Sequence, residues 1–255
     1  MNLEHTKLGK IALAAFAIFL IGVGGIVVTG FQPSNDKNNG EYIEVVELNE
    51  ASSVEAEIEM GIADLTVNGG AEDLMRGKFH YNENAGKPDI AYEVNGGKGE
   101  LDVSNEDKDS WLDFDWIRFG EQTDEWEIAL NDKVPLDLEV STGVGDSKLD
   151  LSGLNLTRLD IDSGVGETVL DLSGDWERSF NVSIDGGVGD TTIFIPEDVG
   201  VRITADLGVG GLNIQGLTIQ GNSYLNNAYN ESDVKLEIDL DMGVGSVNII
   251  REDLR

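Results

Sequence analysis

The sequence predicts an all-β chain: a β-helix or solenoid of repeated rungs with Gly-Val-Gly corners, preceded by one N-terminal transmembrane helix. Three observations carry this expectation. The tripeptide Gly-Val-Gly recurs at 143–145, 164–166, 187–189, 208–210 and 243–245. The first four copies lie 21 to 23 residues apart and the last follows after 35, and a fixed period of this size marks a stacked array whose single repeat cannot bury its apolar face alone. Alternating apolar and polar residues flank every copy, as strands with one buried face require. Finally, residues 11–30 (IALAAFAIFLIGVGGIVVTG) contain no charge.

Taken in order, residues 1–10 form a short tail with Lys7 and Lys10 against one acid, Glu4. Residues 11–30 reach about 30 Å as a helix, the thickness of a bilayer's hydrocarbon core. The basic flank keeps the tail in the cytoplasm, so the rest is exported from a single-pass anchor in the cell membrane. A cleaved signal peptide ending near Gly30 is the competing reading, but no Ala-x-Ala precedes Phe31. Residues 31–41 (FQPSNDKNNGE) read as a polar linker, and 42–255 as the exported solenoid domain.

Within that domain Val54, Ala56 and Ile58 alternate with Glu55, Glu57 and Glu59 ahead of a relaxed corner, Gly61-Ile62-Ala63-Asp64. Residues 71–76 (AEDLMR) are expected to make one helical turn. Beyond Trp126 the rungs become regular: Leu136, Leu138 and Val140 lead into Gly143, and Leu149 and Leu151 lead out. Leu159 and Ile161 then precede Gly164, with Leu170 and Leu172 after it. Glycine at each corner permits backbone angles closed to other residues and a close approach of neighbouring rungs. The valine between the glycines is expected to point inward and stack on the valine of the next rung, about 4.8 Å away.

Composition narrows function. The net charge is −32, from 17 basic and 49 acidic residues, which excludes nucleic acid and anionic headgroups as partners by repulsion. Cysteine is absent, so stability rests on packing and strand pairing rather than disulfides. His5 falls on the cytoplasmic side and His80 stands alone, so no histidine-based metal cluster or Ser-His-Asp set can be assembled. The chain reads as a non-enzyme with no cofactor, although so many acids leave a glycosidase-type carboxylate pair open.

Two clusters are candidates for binding. The turn acids Asp64, Asp146, Glu167 and Asp190 occupy equivalent positions, and stacked carboxylates can hold Ca²⁺. Turn acids also commonly accept backbone hydrogen bonds and face water. Trp111, Phe114, Trp116, Phe119 and Trp126 gather aromatics among acids; they suit an interaction surface for a protein or glycan, or a cap plugging the solenoid.

The run WEIALNDKVPLDLEVSTGVGDSKLDLSGLNLTRLDIDSGVGETVLDLSG from Trp126, together with residues 51–82, resembles the toast-rack β-solenoid domains of bacterial envelope proteins. Relatives of that kind include LiaF-like cell-wall-active-antibiotic response proteins and adhesins with the same repeat. The resemblance implies an envelope-stress interaction or sensing module, with a membrane sensor kinase as partner. The alternative it implies is an adhesin-like surface protein binding a cell-wall polymer. The single span departs from the several that usually precede the domain in the LiaF-like group.

Overall fold

A computed structural model describes residues 39–82, 87–105 and 124–252. The expected anchor, residues 31–38 of the expected linker and the aromatics Trp111, Phe114, Trp116 and Phe119 lie outside the described residues; residues 39–41, expected as linker, are already strand. Among those described, no helix is long and apolar enough to cross a membrane.

The described chain is a stack of two-armed rungs. The first arms are β2 (Ser53–Ile62), β8 (Leu136–Val144), β10 (Leu156–Val165) and β12 (Phe180–Val188). The second arms, beyond each corner, are β3 (Asp64–Asn68), β9 (Ser147–Asp150), β11 (Thr168–Asp171) and β13 (Thr191–Pro196). Two longer strands, β14 (Gly200–Ile214) and β17 (Lys235–Glu252), each pass through a corner and form both arms at once. All these neighbours pair in parallel, so equivalent residues stack: Ala56, Leu138, Leu159, Val182, Ile238 and Ile203 form one inward column. Each is fully or almost fully buried; burying each of the Leu, Val and Ile side chains contributes about 1.5–3 kcal/mol.

Rung order in space departs from chain order. β17 inserts between β12 and β14, so the corner at Gly243 stacks on that at Gly187, and the corner at Gly208 comes last. At the other end β6 (Lys98–Asn105) and β7 (Glu125–Leu130) complete a rung beyond β2 and β3. Antiparallel strands roof that end: β5 (Pro88–Asn95) on β6, β4 (Met75–Asn82) on β7, and β1 (Asn39–Val46) on β4. At the β14 end a hairpin of β15 (Thr218–Gln220) and β16 (Ser223–Leu225) pairs only with Arg202, Ile203 and Thr204. Two buried asparagines pin the long connections: Asn131 donates to the carbonyls of Ala71, Glu72 and Asp73, and Asn226 to those of Pro196 and Val199.

Two expectations are corrected. Residues 71–76 make no helical turn; bends lead directly into β4 at Met75, because Met75 and Phe79 are drawn into the core as strand residues. The corner valines do not point inward. Val144, Val165, Val188 and Val244 are 46–49% exposed and Val209 69%. They do stack on one another in register, with Ile62 beside Val144, but on the outside.

Candidate functional site

The outward ridge originates in the corner glycines. A Cβ on Gly145, Gly166, Gly189 or Gly245 would lie less than 3.0 Å from the carbonyl oxygen of the equivalent residue one rung away. The corner backbones therefore touch, and the only side chain they carry outward is the valine. The amide of Gly145 donates to Val165 O, that of Gly166 to Val188 O, and that of Gly189 to Val244 O, at 2.9–3.0 Å. These bonds hold the valines at the strand spacing of about 4.8 Å.

The turn acids flank the ridge on one side, where they serve the backbone. Asp64 Oδ1 accepts the amide of Asp146 at 3.0 Å, Asp146 Oδ1 that of Glu167 at 2.9 Å, and Asp190 Oδ1 that of Ser246 at 2.8 Å. One oxygen of each aspartate is thus engaged by the next rung. Among the described residues no group of three or more His, Cys, Asp or Glu side chains is placed to hold a metal ion.

On the other side the first arms present carboxylates in columns. One column runs Asp102, Glu57, Glu139, Asp160, Ser183, Asp239, Thr204; the next runs Ser104, Glu59, Ser141, Asp162, Asp185, Asp241, Asp206. Partial burial, reinforced by like charges on adjacent rungs, raises the carboxyl pKa of Glu57, Glu139 and Asp185 above the ordinary range. Asp137 is raised by burial too, although the Arg158 guanidinium opposes the shift.

Where the columns change to small residues, the acidic face dips. A shallow depression of about 500 Å³ is lined by Asn181, Ser183, Thr204 and Ser223, with Asp160, Asp239 and Glu237 at its sides. Arg202 pairs with Glu237, whose other oxygen accepts the Tyr229 hydroxyl at 2.8 Å.

Trp126, grouped above with the interaction aromatics, is a core residue. It is fully buried, edge-on to Phe79 with ring centroids 5.3 Å apart, and is closed to any partner. His80 lies on β4 in register with Glu41 and Glu125. The exposed valine ridge was missed from the sequence, yet a signal exists. Inward positions switch parity across every corner, from 159 and 161 to 170 and 172, and from 138 and 140 to 149 and 151. A corner that shifts the phase by one must turn its middle residue away from the core.

Residues 34–194 match the family described as the N-terminal domain of toast_rack. The chain belongs to the toast-rack family. Residues 144–249 also match the family described as cell wall-active antibiotics response LiaF, C-terminal. A crystal structure of a proposed cell adhesion protein from Clostridium sporogenes is similar at 36% identity and a TM-score of 0.78, over 84% of this chain and 100% of that one. A proposed adhesin from Bacteroides fragilis aligns at 11% identity over 86% of this chain and 100% of that one; its TM-score of 0.22 carries no weight. No curated protein matches the chain. None of these descriptions names a reaction.

Proposed function

We propose that this toast-rack protein is a non-enzymatic interaction and sensing module of a bacterial-type cell envelope, held at the outer face of the cytoplasmic membrane by residues 11–30. One observation carries the reading: an in-register ridge of exposed valines, set on touching glycine backbones and framed by two rows of carboxylates. Such a ridge is rigid before any partner arrives, so little ordering entropy opposes docking. The apolar strip supplies contact area, and the acidic rims select a partner with basic edges and slow the approach of anionic polymers. The similarity to a cell wall-active antibiotics response family supports an envelope role; the partner class proposed is a membrane sensor kinase.

The test is crosslinking in intact cells from a photoreactive residue at Val188, with a second at Glu93 on the roof strand β5 as control. Capture of a membrane protein at Val188 alone is the expected result. Recovery of cell-wall glycan with no protein would overturn the sensing reading.

A second reading, an adhesin-like protein that binds a cell-wall polymer, is favoured by the similarity to the clostridial protein and by the hydroxyl-lined depression around Ser183. Replacing Ser183 with Tyr fills that depression from a half-buried strand position. Retention of the folded protein on isolated cell walls should then fall if this reading holds.

A further inference from the structure

The two ends of the stack are finished differently. The roof strands at the β6–β7 end carry the devices that keep sheet edges from pairing: Pro88, Asp89 and Glu93 on β5, and Glu41 and Glu44 on β1. At the β14 end the only charges on the terminal strand are Arg202 and Asp206, both ahead of its corner. Residues 207–230 contain no Asp, Glu, Lys or Arg, in a chain whose net charge is −32. Gly211 stands where four of the other corners place Asp64, Asp146, Glu167 or Asp190 and the neighbouring Gly243 corner places Ser246.

This end is also open. Among the described residues, β14 is paired along its whole length by β17 on one side, but on the other side only at Arg202, Ile203 and Thr204, with Asn226 bonded to Val201 beside them. From Asp206 to Ile214 that second edge has no strand partner. The core shows through it. Leu207, Leu212 and Ile214 are only partly buried, whereas Met242, Val247 and Ile249, their register neighbours one rung in, are buried. The two most exposed large apolar side chains among the described residues, Val209 and Ile219, both lie here.

We infer that this uncharged edge is an interface for a second copy of the chain, the two β14 strands pairing antiparallel about a twofold axis. Charge selects the occupant. Most faces of one copy repel another, and this end is the surface from which the charges have been removed. Antiparallel pairing of one strand with itself is isologous and uses the same patch on both copies. Because the opposite end is roofed and charged, the assembly closes as a dimer and does not propagate into a fibre. Each copy then supplies the missing rung that covers the other's Leu207, Leu212 and Ile214.

The absence of cysteine makes the test clean. In the full-length chain, single cysteines are placed at Val209, Gly211, Asn213 and Gln215, with Glu93→Cys on β5 as control, and oxidised. Disulfide-linked dimer at one or more β14 positions, and none at position 93, is expected. In parallel, the full-length protein in density-matched detergent is sedimented to equilibrium, with and without the pair Val209→Lys and Asn213→Lys. Both side chains point to solvent, and circular dichroism checks that the strand content is kept. The wild type should sediment as two chains and the lysine variant at half that mass. A monomeric wild type overturns the inference. So does a dimer indifferent to the lysines, which would locate the association elsewhere, for example in residues 11–30. Crosslinking of the β14 cysteines in cells to a different protein overturns it as well, in favour of a foreign strand on this edge.

Discussion

Replacing one corner glycine with alanine measures how far the stack depends on backbone contact. Gly166 is the best position, because it has rungs on both sides and φ of 152°. An alanine Cβ there would lie less than 3.0 Å from the carbonyl oxygen of Gly145, and a backbone atom cannot swing aside as a side chain would. Holding a non-glycine residue at such an angle costs about 1–3 kcal/mol. Forcing an extra methyl group into close packing costs about 1–3 kcal/mol more. The sum, about 2–6 kcal/mol, is a large part of the roughly 5–15 kcal/mol that holds a typical protein folded. At about 2–4 °C per kcal/mol for a domain of this size, Gly166→Ala should lower the melting temperature by about 5–20 °C. The control is Gly153→Ala, at a turn where nothing lies within 4 Å of an added Cβ and φ is not positive; it should melt within about 2 °C of the wild type. Thermal unfolding followed by circular dichroism, with full-length protein in detergent, compares the two. Equal melting temperatures for the two variants would refute the claim that touching corner backbones hold the rungs together.

Asp146→Ala removes the acceptor of the Glu167 amide at 2.9 Å and should destabilise by about 0.5–1.5 kcal/mol, read by denaturant titration. Ser147 Oγ is buried without a hydrogen-bond partner. Ser147→Ala should therefore leave stability unchanged or raise it by up to about 1 kcal/mol, in contrast to most core changes. For pH, Glu57, Glu139, Asp137 and Asp185 have carboxyl pKa values raised on folding. Between the unfolded and folded values the native state binds more protons, so their contribution to stability falls as pH rises through that window. Acidification from neutrality into the window just above the ordinary carboxylate range should raise the melting temperature, and added salt at neutral pH should do the same by screening. A melting temperature that drops steadily through that window would contradict this sign.

The fold was legible where the sequence repeats a physical constraint. Leu138, Val140, Leu149 and Leu151 alternate with acids because each strand has one face to bury, and the glycines recur because every corner meets the next at backbone distance. Trp126 was not separable from its aromatic neighbours by composition alone; its burial follows from parallel pairing with Leu65 and antiparallel pairing with Phe79, contacts distant in the chain. The outward turn of Val144, Val165 and Val188 was hidden because strict alternation, continued through the corner, places them inside. Only the parity switch on the far side reveals the slip. The position of β17 is the hardest case. Chain order would stack the Gly208 corner on that of Gly187, and no local pattern forbids it. What separates the two strands is what each has to bury and to show. β17 brings Leu236, Ile238, Leu240, Met242, Val247 and Ile249 to the interior and Glu237, Asp239 and Asp241 to the acidic face, so it resembles an inner rung on both sides. β14 offers only a partly buried Ala205 opposite Leu240, and no charge beyond Asp206. The strand with the least to lose by exposure takes the end of the stack, and that choice leaves the edge on which a second copy can build.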